Sequence, residues 1–138
     1  MNITYAQWAM GRDVKYPPSQ AIRDNANELL RRVNKLLTMY NVATDEVVTQ
    51  VNSGYRPLAI NQATPGASLT SLHITGEAID LSDPQEELDT WLMSAQGKVA
   101  LEECDLFQEH PSKTPRWCHL GSRKFRSYVP GGTRVFMP

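Results

Sequence analysis

The segment SLHITGEAIDL, residues 71 to 81, and the later WCHL, residues 117 to 120, decide the fold and the chemistry expected of this chain. The first segment carries His73 and Asp80, and the second carries His119. Two imidazoles and one carboxylate make three protein ligands, which suits a catalytic zinc ion with an open fourth position. A structural zinc site would normally use four protein ligands, often thiolates, and the chain has 2 cysteines. The pattern therefore favours a catalytic over a structural metal site, but a His and an Asp at this spacing are more often hydrogen-bonded surface or core residues, and spacing alone does not decide.

Strand alternation predicts that the three groups share one face. AIDL, residues 78 to 81, is predicted to be a strand that turns Asp80 to one side and its apolar neighbours to the core. Gly76 permits a sharp turn that brings His73 back over the face of Asp80. In the later segment, the same alternation turns Cys118 away from the face of His119.

Length and charge limit the function classes. With 138 residues and 15.5 kDa, the chain is predicted to be one domain over residues 1 to 138. A formal net charge of -1 gives no broad attraction to nucleic acid. The basic segment SRKFRS, residues 122 to 127, is interpreted as a solvated loop or strand edge. We expect a monomer without a nucleic-acid partner.

The beginning of the chain and its cysteines bear on the expected compartment. MNITYAQWAMGRD, residues 1 to 13, lacks a basic segment followed by an apolar run, so we expect synthesis in the cytoplasm without a signal peptide. No apolar stretch reaches the ~20 residues that span a bilayer, so membrane insertion is not expected. Cys104 and Cys118 are predicted to be free, mostly buried thiols.

Periodicity predicts the elements of the first half. Apolar residues recur at helical spacing after Ser19, which predicts an amphipathic helix over residues 19 to 40 whose apolar stripe faces the core. The β-branched residues 46 to 52 predict a strand. Residues 58 to 71, rich in Asn, Thr, Pro, Gly and Ser, predict a long loop.

The second half is predicted to be rich in strands. A helix is expected to begin at residues 82 to 84 and to end at Gly97. Residues 98 to 107 and 116 to 122 are predicted to be strands separated by a loop, and residues 127 to 138 to contain one more short strand.

Three ordered blocks resemble a known enzyme family. They are SGYRP at residues 53 to 57, S-x-H-x-x-G-x-A-x-D at residues 71 to 80, and W-x-H at residues 117 to 119. Together they resemble the zinc D-Ala-D-Ala carboxypeptidase family, whose wider group includes L-alanyl-D-glutamate endopeptidases, vancomycin-resistance D,D-dipeptidases, phage endolysins and the hedgehog signalling domain. WAMGRD, residues 8 to 13, and GGTRVFMP, residues 131 to 138, also resemble small phage-encoded members.

The resemblance implies both a fold and a reaction. It implies an α+β fold in which a small antiparallel sheet, flanked by helices, carries Zn²⁺ on His73, Asp80 and His119. The implied substrates are peptidoglycan peptides, cleaved when a zinc-activated water attacks a carbonyl that zinc and Arg56 polarise. In this scheme Arg56 binds the substrate carbonyl or the developing oxyanion.

Two further side chains are candidates for substrate binding. Ser71 either donates a hydrogen bond to the substrate or shapes its own loop. Trp117, on the face predicted for His119, is the second candidate.

The general base is the point at which the chain departs from better-known members. Many of them carry an acidic residue three positions before the last zinc histidine, where this chain has Arg116. Glu109 is favoured because it ends a strand that leads directly into the strand of His119. His110 stays an alternative, since some carboxypeptidases of the family use a histidine upstream of the final ligand. More distant candidates are Glu102, Glu103 and Asp105.

Two function classes follow. The first is a zinc peptidase of peptidoglycan, acting as a D-Ala-D-Ala carboxypeptidase or as an endolysin. The second is a non-catalytic, zinc-stabilised binding or virion-associated module that kept the ligands and lost the base. We expect the chain to act on the cell wall; whether a phage or a bacterium encodes it stays open, and a phage protein would be released at lysis or carried on the virion.

Overall fold

The computed structural model describes residues 2 to 68 and 70 to 138. Within these residues, helices and strands follow in the order α1 Tyr5–Ala9, α2 Gln20–Thr44, β1 Val51–Ser53, α3 Leu58–Ala63, α4 Leu72–Thr75, β2 Ala78–Ser82, α5 Glu87–Met93, α6 Ala95–Cys104, β3 Phe107–Glu109, β4 Trp117–Gly121 and β5 Val135–Phe136. A 3₁₀ turn, Pro111–Lys113, lies between β3 and β4. One sheet combined with helices confirms the predicted α+β fold.

The long amphipathic helix was predicted correctly and extends to Thr44. The side chain of Ser19 caps it by accepting from the backbone N–H of Ile22 at 3.2 Å. Its buried residues follow helical spacing, which confirms that the stripe faces the core. They are Ala26, Leu29, Leu30, Val33, Leu36, Leu37 and Tyr40.

The sheet has the strand order β1-β2-β4-β3-β5 in the described chain. β1, β2, β4 and β3 pair antiparallel, whereas β5 runs parallel to β3. Along β2 and β4 the apolar side chains alternate into the core, where Ile79, Leu81, Cys118 and Leu120 are fully buried. The opposite face of these two strands is therefore free to carry polar groups.

A buried polar cluster fastens β3 to the neighbouring helix. Asp89 of α5 is fully buried and accepts from the Nε2 of Gln108 at 2.8 Å and from the Oγ1 of Thr114 at 2.7 Å. Burial raises the pKa of Asp89, and the hydrogen bonds from Thr114 and Gln108 oppose that rise. These hydrogen bonds fix the position of Gln108, and with it the end of β3, relative to α5.

The prediction of a loop over residues 58 to 71 was wrong for its first part. Residues 58 to 63 form α3, which begins directly after Pro57. Asn61 is buried, and its Nδ2 donates to the carbonyl of Ser68 at 2.7 Å. Part of the polar composition that predicted a loop thus closes a turn through a side-chain hydrogen bond. Leu69 lies outside the described residues.

The prediction of a strand over residues 98 to 107 was also wrong. Most of this stretch belongs to α6, whose buried positions Gly97, Ala100, Leu101 and Cys104 follow helical spacing. Gly97 does not end a helix. Its N–H donates to Ser94 Oγ at 3.2 Å, so it lies in the first turn of α6, and β3 begins only at Phe107.

The predicted strand over residues 46 to 52 is shorter than expected. β1 covers Val51–Ser53, because α2 continues through Thr44 and the chain needs the intervening residues to reach the sheet. The predicted strands at AIDL and in RWCHLGS, and a short strand near the end of the chain, are confirmed as β2, β4 and β5.

The two thiols were predicted correctly. Cys104 and Cys118 are free and buried within the described part of the chain. Over residues 2 to 68 and 70 to 138, none of the helices combines the length and apolar character needed to cross a bilayer.

Candidate metal centre

A four-residue helix and a glycine turn place the imidazole of His73. Ser71 caps α4 by accepting from the backbone N–H of His73 at 3.2 Å. Gly76 ends the helix with φ of 81°, and a Cβ there would lie 2.6 Å from the carbonyl oxygen of Ile22. Only glycine fits both the left-handed backbone and the close approach of α2. The turn returns the buried His73 to the sheet, as predicted.

Backbone contact fixes the orientation of the His73 ring. Its Nδ1 lies 2.8 Å from the carbonyl oxygen of Gly54, which can only accept, so Nδ1 carries the proton. The Nε2 then points at Asp80 Oδ2, 3.3 Å away. When the imidazole is neutral, its Nε2 and the carboxylate oxygen of Asp80 present lone pairs to each other. Such a contact is favourable only with a cation between the two atoms or with a protonated ring.

Asp80 and His119 face each other across the β2 and β4 pairing. They are register partners, and Asp80 Oδ1 lies 2.7 Å from Nδ1 of His119. Burial raises the pKa of Asp80, but the hydrogen bond from His119 and the close approach of the His73 ring outweigh it and hold the pKa well below its usual range. Burial lowers the pKa of His119, and the bond to Asp80 reverses this, so that its pKa is raised.

The donor set fits a zinc ion. One possible ligand atom from each of His73, Asp80 and His119 lies within 4.8 Å of the others. Two nitrogens and one carboxylate oxygen are ligands that zinc accepts, and the bond from His73 to a backbone carbonyl is a typical outer contact of a metal-binding histidine. Cys118 is fully buried on the opposite face, as predicted.

Arg56 lies beside this group. Its backbone N–H donates to the carbonyl of His73 at 3.2 Å. The side chain is half-buried, and its Nε is buried without a hydrogen-bond partner in the described residues. Burial lowers the pKa of the guanidinium, whereas Asp80 raises it. A permanent cation therefore stands next to the possible metal ligands.

The N-terminal segment braces the turn that carries Gly54 and Arg56. The N–H of Tyr55 donates to the carbonyl of Trp8 at 2.7 Å, and Arg12 donates to the carbonyl of Tyr55 at 2.9 Å. The Trp8 and Tyr55 rings stack with centroids 5.3 Å apart. No role was predicted for Trp8 or Arg12, although both lie in the WAMGRD block that resembles small phage-encoded members.

Glu109 lies beside His119 on the sheet, in line with Asp80. Gln108 pairs with Leu120, so the register places Glu109 next to His119 on the face opposite the core. On its other side Glu109 pairs with Phe136. Burial raises the pKa of Glu109, His119 lowers it and Asp80 raises it. A half-buried carboxylate thus stands near the three possible ligands.

The other predicted side chains occupy varied positions. Nδ1 of His110 accepts from the N–H of Ser112 at 3.1 Å and so caps the 3₁₀ turn. Ser71 is engaged as the cap of α4. Trp117 is half-buried on the face of His119, and Arg116 is exposed with φ of 74°. Substrate or catalytic roles for His110, Ser71 and Trp117 stay predictions.

The fold carries a possible three-residue metal site on one face of its sheet, an arrangement suited to a metal-dependent hydrolase. A family model described as Peptidase M15 matches residues 1 to 112, and the chain belongs to this family. That confirms the resemblance drawn from the motifs, and it makes the chain a metallopeptidase by family, among zinc enzymes of peptidoglycan. The match includes His73 and Asp80 and ends before His119, which the register brings to them. No curated protein matches the chain.

Proposed function

We propose that this protein is a zinc peptidase that hydrolyses peptide bonds of peptidoglycan, as a D-Ala-D-Ala carboxypeptidase or as an endolysin-type endopeptidase. The observation that carries the proposal is the contact of His73 Nε2 with Asp80, in register with His119. The chain would act as a monomer at the cell wall, and a phage-encoded form would be released at lysis or carried on the virion.

His73, Asp80 and His119 would hold the ion. When bound, zinc supplies a water nucleophile that is active at neutral pH and polarises the scissile carbonyl. The carbonyl of Gly54 fixes the tautomer of His73, so Nε2 is the nitrogen that faces the ion. The alternation of β2 and β4 keeps the sulfur of Cys118 out of the site.

Arg56 would bind the carbonyl oxygen of the substrate and the negative charge that develops on it. The half-buried guanidinium lies close enough to Asp80 for the two charges to affect each other, so a permanent cation stands beside the possible metal ligands. Its positive charge would stabilise the developing oxyanion more than the neutral carbonyl.

Glu109 would act as the general base. Its carboxylate would accept a proton from the attacking water and pass it to the nitrogen of the leaving amine. Burial raises the pKa of Glu109 and so brings it closer to neutral pH. A group that first accepts and then donates a proton is most effective when its pKa lies near the pH of the reaction. In this arrangement the catalytic carboxylate comes from β3, the strand next to that of His119, and not from the position of Arg116. Arg116 then needs no catalytic role.

A second candidate function is a non-catalytic, zinc-stabilised binding or virion-associated module. The observation that favours it is Arg116, an exposed cation at the position where many relatives carry an acid. In that case the metal would serve folding, since the binding free energy of an ion adds to the stability of the folded state.

Metal content and turnover separate the two candidates. The purified protein is analysed for zinc per chain and is then incubated with pentapeptide muropeptides and with cross-linked muropeptides, with and without a chelator. The peptidase proposal expects one zinc per chain and product release that the chelator abolishes. Stoichiometric zinc without turnover of any muropeptide supports the binding module instead. Release of free D-alanine alone identifies a carboxypeptidase.

A further inference from the structure

A groove lies at the C-terminal edge of the sheet, next to the candidate metal centre. It has a volume of about 620 Å³ and is bounded by residues 125 to 129 and by the chain around β5. This volume lies within the range of small-molecule and peptide pockets. The family match ends at residue 112, so the groove is built by a part of the chain that the match does not include.

Phe136 connects the groove to the possible metal ligands. Its ring lines the groove and lies 5.9 Å, centroid to centroid, from the ring of His119. The same ring lies 5.6 Å from that of Phe125, which forms the far wall. Phe136 also pairs with Glu109 across β5 and β3. A peptide bound over His119 and Glu109 would therefore continue directly into the groove.

Apolar side chains line the groove without being covered. Val129 is 63% exposed and Met137 is 60% exposed, and both border it. Beneath them Tyr128 is held by Arg134, whose guanidinium lies 5.2 Å from the ring centroid and pairs with Asp105 at 2.9 Å. An exposed apolar patch on a supported wall is typical of a binding surface.

The charge of the groove is positive. Arg126 borders it, is exposed and has no carboxylate within 4 Å in the described chain. Lys124, two residues earlier, is exposed and likewise unpaired there. The lining residues that the structure describes include no acid. An occupant with apolar groups and a carboxylate matches this surface.

We propose that the groove binds the part of the peptidoglycan stem peptide that flanks the scissile bond. Methyl groups of its alanines would pack on Phe125, Val129 and Met137, and a free carboxylate of its acidic residues would pair with Arg126. This inference rests on the proposed peptidase function and assigns Arg126 a role in substrate specificity.

Equilibrium binding tests the groove independently of turnover. Two stem peptides are compared, one with free carboxylates and one with the same carboxylates amidated, by titration into the zinc-loaded Glu109→Gln protein. Arg126→Gln is expected to weaken binding of the free acid about tenfold and to leave the amide unchanged. The matched control Arg23→Gln, which removes an arginine from α2, is expected to change neither affinity. Equal affinities for acid and amide, or no effect of Arg126→Gln, would overturn the proposal.

Kinetics and molar mass complete the test. If the wild-type protein hydrolyses the peptides, Arg126→Gln is expected to raise KM for the acid with kcat unchanged. Turnover with an unchanged KM in Arg126→Gln would support the peptidase function and contradict peptide binding in the groove. Acid-selective binding without turnover would support binding in the groove and contradict the peptidase function. A dimer that Met137→Asp converts to a monomer would make the groove an interface between copies and would also reject the proposal.

Discussion

The imidazole of His73 takes its orientation from the backbone of Gly54. The 2.8 Å contact between Nδ1 and the Gly54 carbonyl oxygen turns Nε2 toward Asp80. Gly54 is itself pressed against Trp8, since a Cβ at Gly54 would lie 2.1 Å from the Trp8 carbonyl oxygen. The N-terminal segment therefore influences a ligand that is more than sixty positions away in the printed sequence.

Gly54→Ala is expected to weaken zinc binding by about tenfold or more, because the displaced carbonyl no longer orients His73. The clash with Trp8 is also expected to lower the free energy of unfolding by about 2 to 4 kcal/mol. Competition with a zinc indicator and urea unfolding measure the two effects. Gly121→Ala is the matched control, since a Cβ there would meet its nearest atom at 3.4 Å. Unchanged zinc affinity in Gly54→Ala would contradict this account.

His73→Ala is expected to lose the metal and part of the stability that the metal contributes. His110→Ala removes the same side chain from a residue outside the ligand group and is expected to retain stoichiometric zinc. Metal analysis and thermal unfolding with and without a chelator measure both variants. If His73→Ala kept its zinc, the ligand assignment would be refuted.

Glu109→Gln is expected to lower kcat by at least about a hundredfold while zinc stays bound, because the amide cannot accept the proton. Glu102→Gln, an exposed acid on α6, is the control and is expected to retain full activity. Full activity of Glu109→Gln would leave His110 as the candidate base.

Thr114→Val is expected to destabilise the fold by about 1 to 3 kcal/mol, since it deprives the buried Asp89 carboxyl of a hydrogen-bond donor. The side chains are nearly equal in volume, so packing changes little. Thr38→Val alters an exposed threonine of α2 and serves as the control. Chemical denaturation gives the comparison, and an equal effect of both changes would argue against the role given to the Asp89 cluster.

Glu28→Gln is expected to lower stability at pH 7 by less than about 1 kcal/mol, because the pair with Arg31 is solvent-exposed and the pair with Arg32 is only partly buried. Hydrogen bonds from Arg31 and then Arg32 lower the pKa of Glu28 to about 2. The unfolded value is about 4.3, so this contribution is present above that pH and is lost as the pH falls toward 2. Unfolding curves of both proteins should therefore converge at low pH. A stability difference between the two proteins that grows on acidification would contradict the predicted direction of this pH dependence.

His73 and Asp80 could be predicted from local evidence, whereas the place of His119 in the ligand group came from the family resemblance of its W-x-H block. His73 and Asp80 are separated by one glycine turn and a short strand, and alternation alone sets their common face. Placing Glu109 beside His119 required only that neighbouring strands pair.

The errors arose where local patterns are ambiguous. The apolar run around Ala100 and Leu101 suits a helix or a buried strand, and packing of α6 against α2 decided it. The contact of Arg12 with Tyr55 joins distant parts of the chain, and no periodic pattern reports such a contact.

The row from Ser53 through Asp80, His119 and Glu109 to Phe136 draws one residue from each strand of the described sheet. A slip of one residue in any pairing would turn that member toward the core. The centre therefore comes into existence only when distant strands have found their partners, which is the slow, long-range part of folding. Zinc uptake during refolding should consequently follow helix formation in time and mark the completion of the sheet.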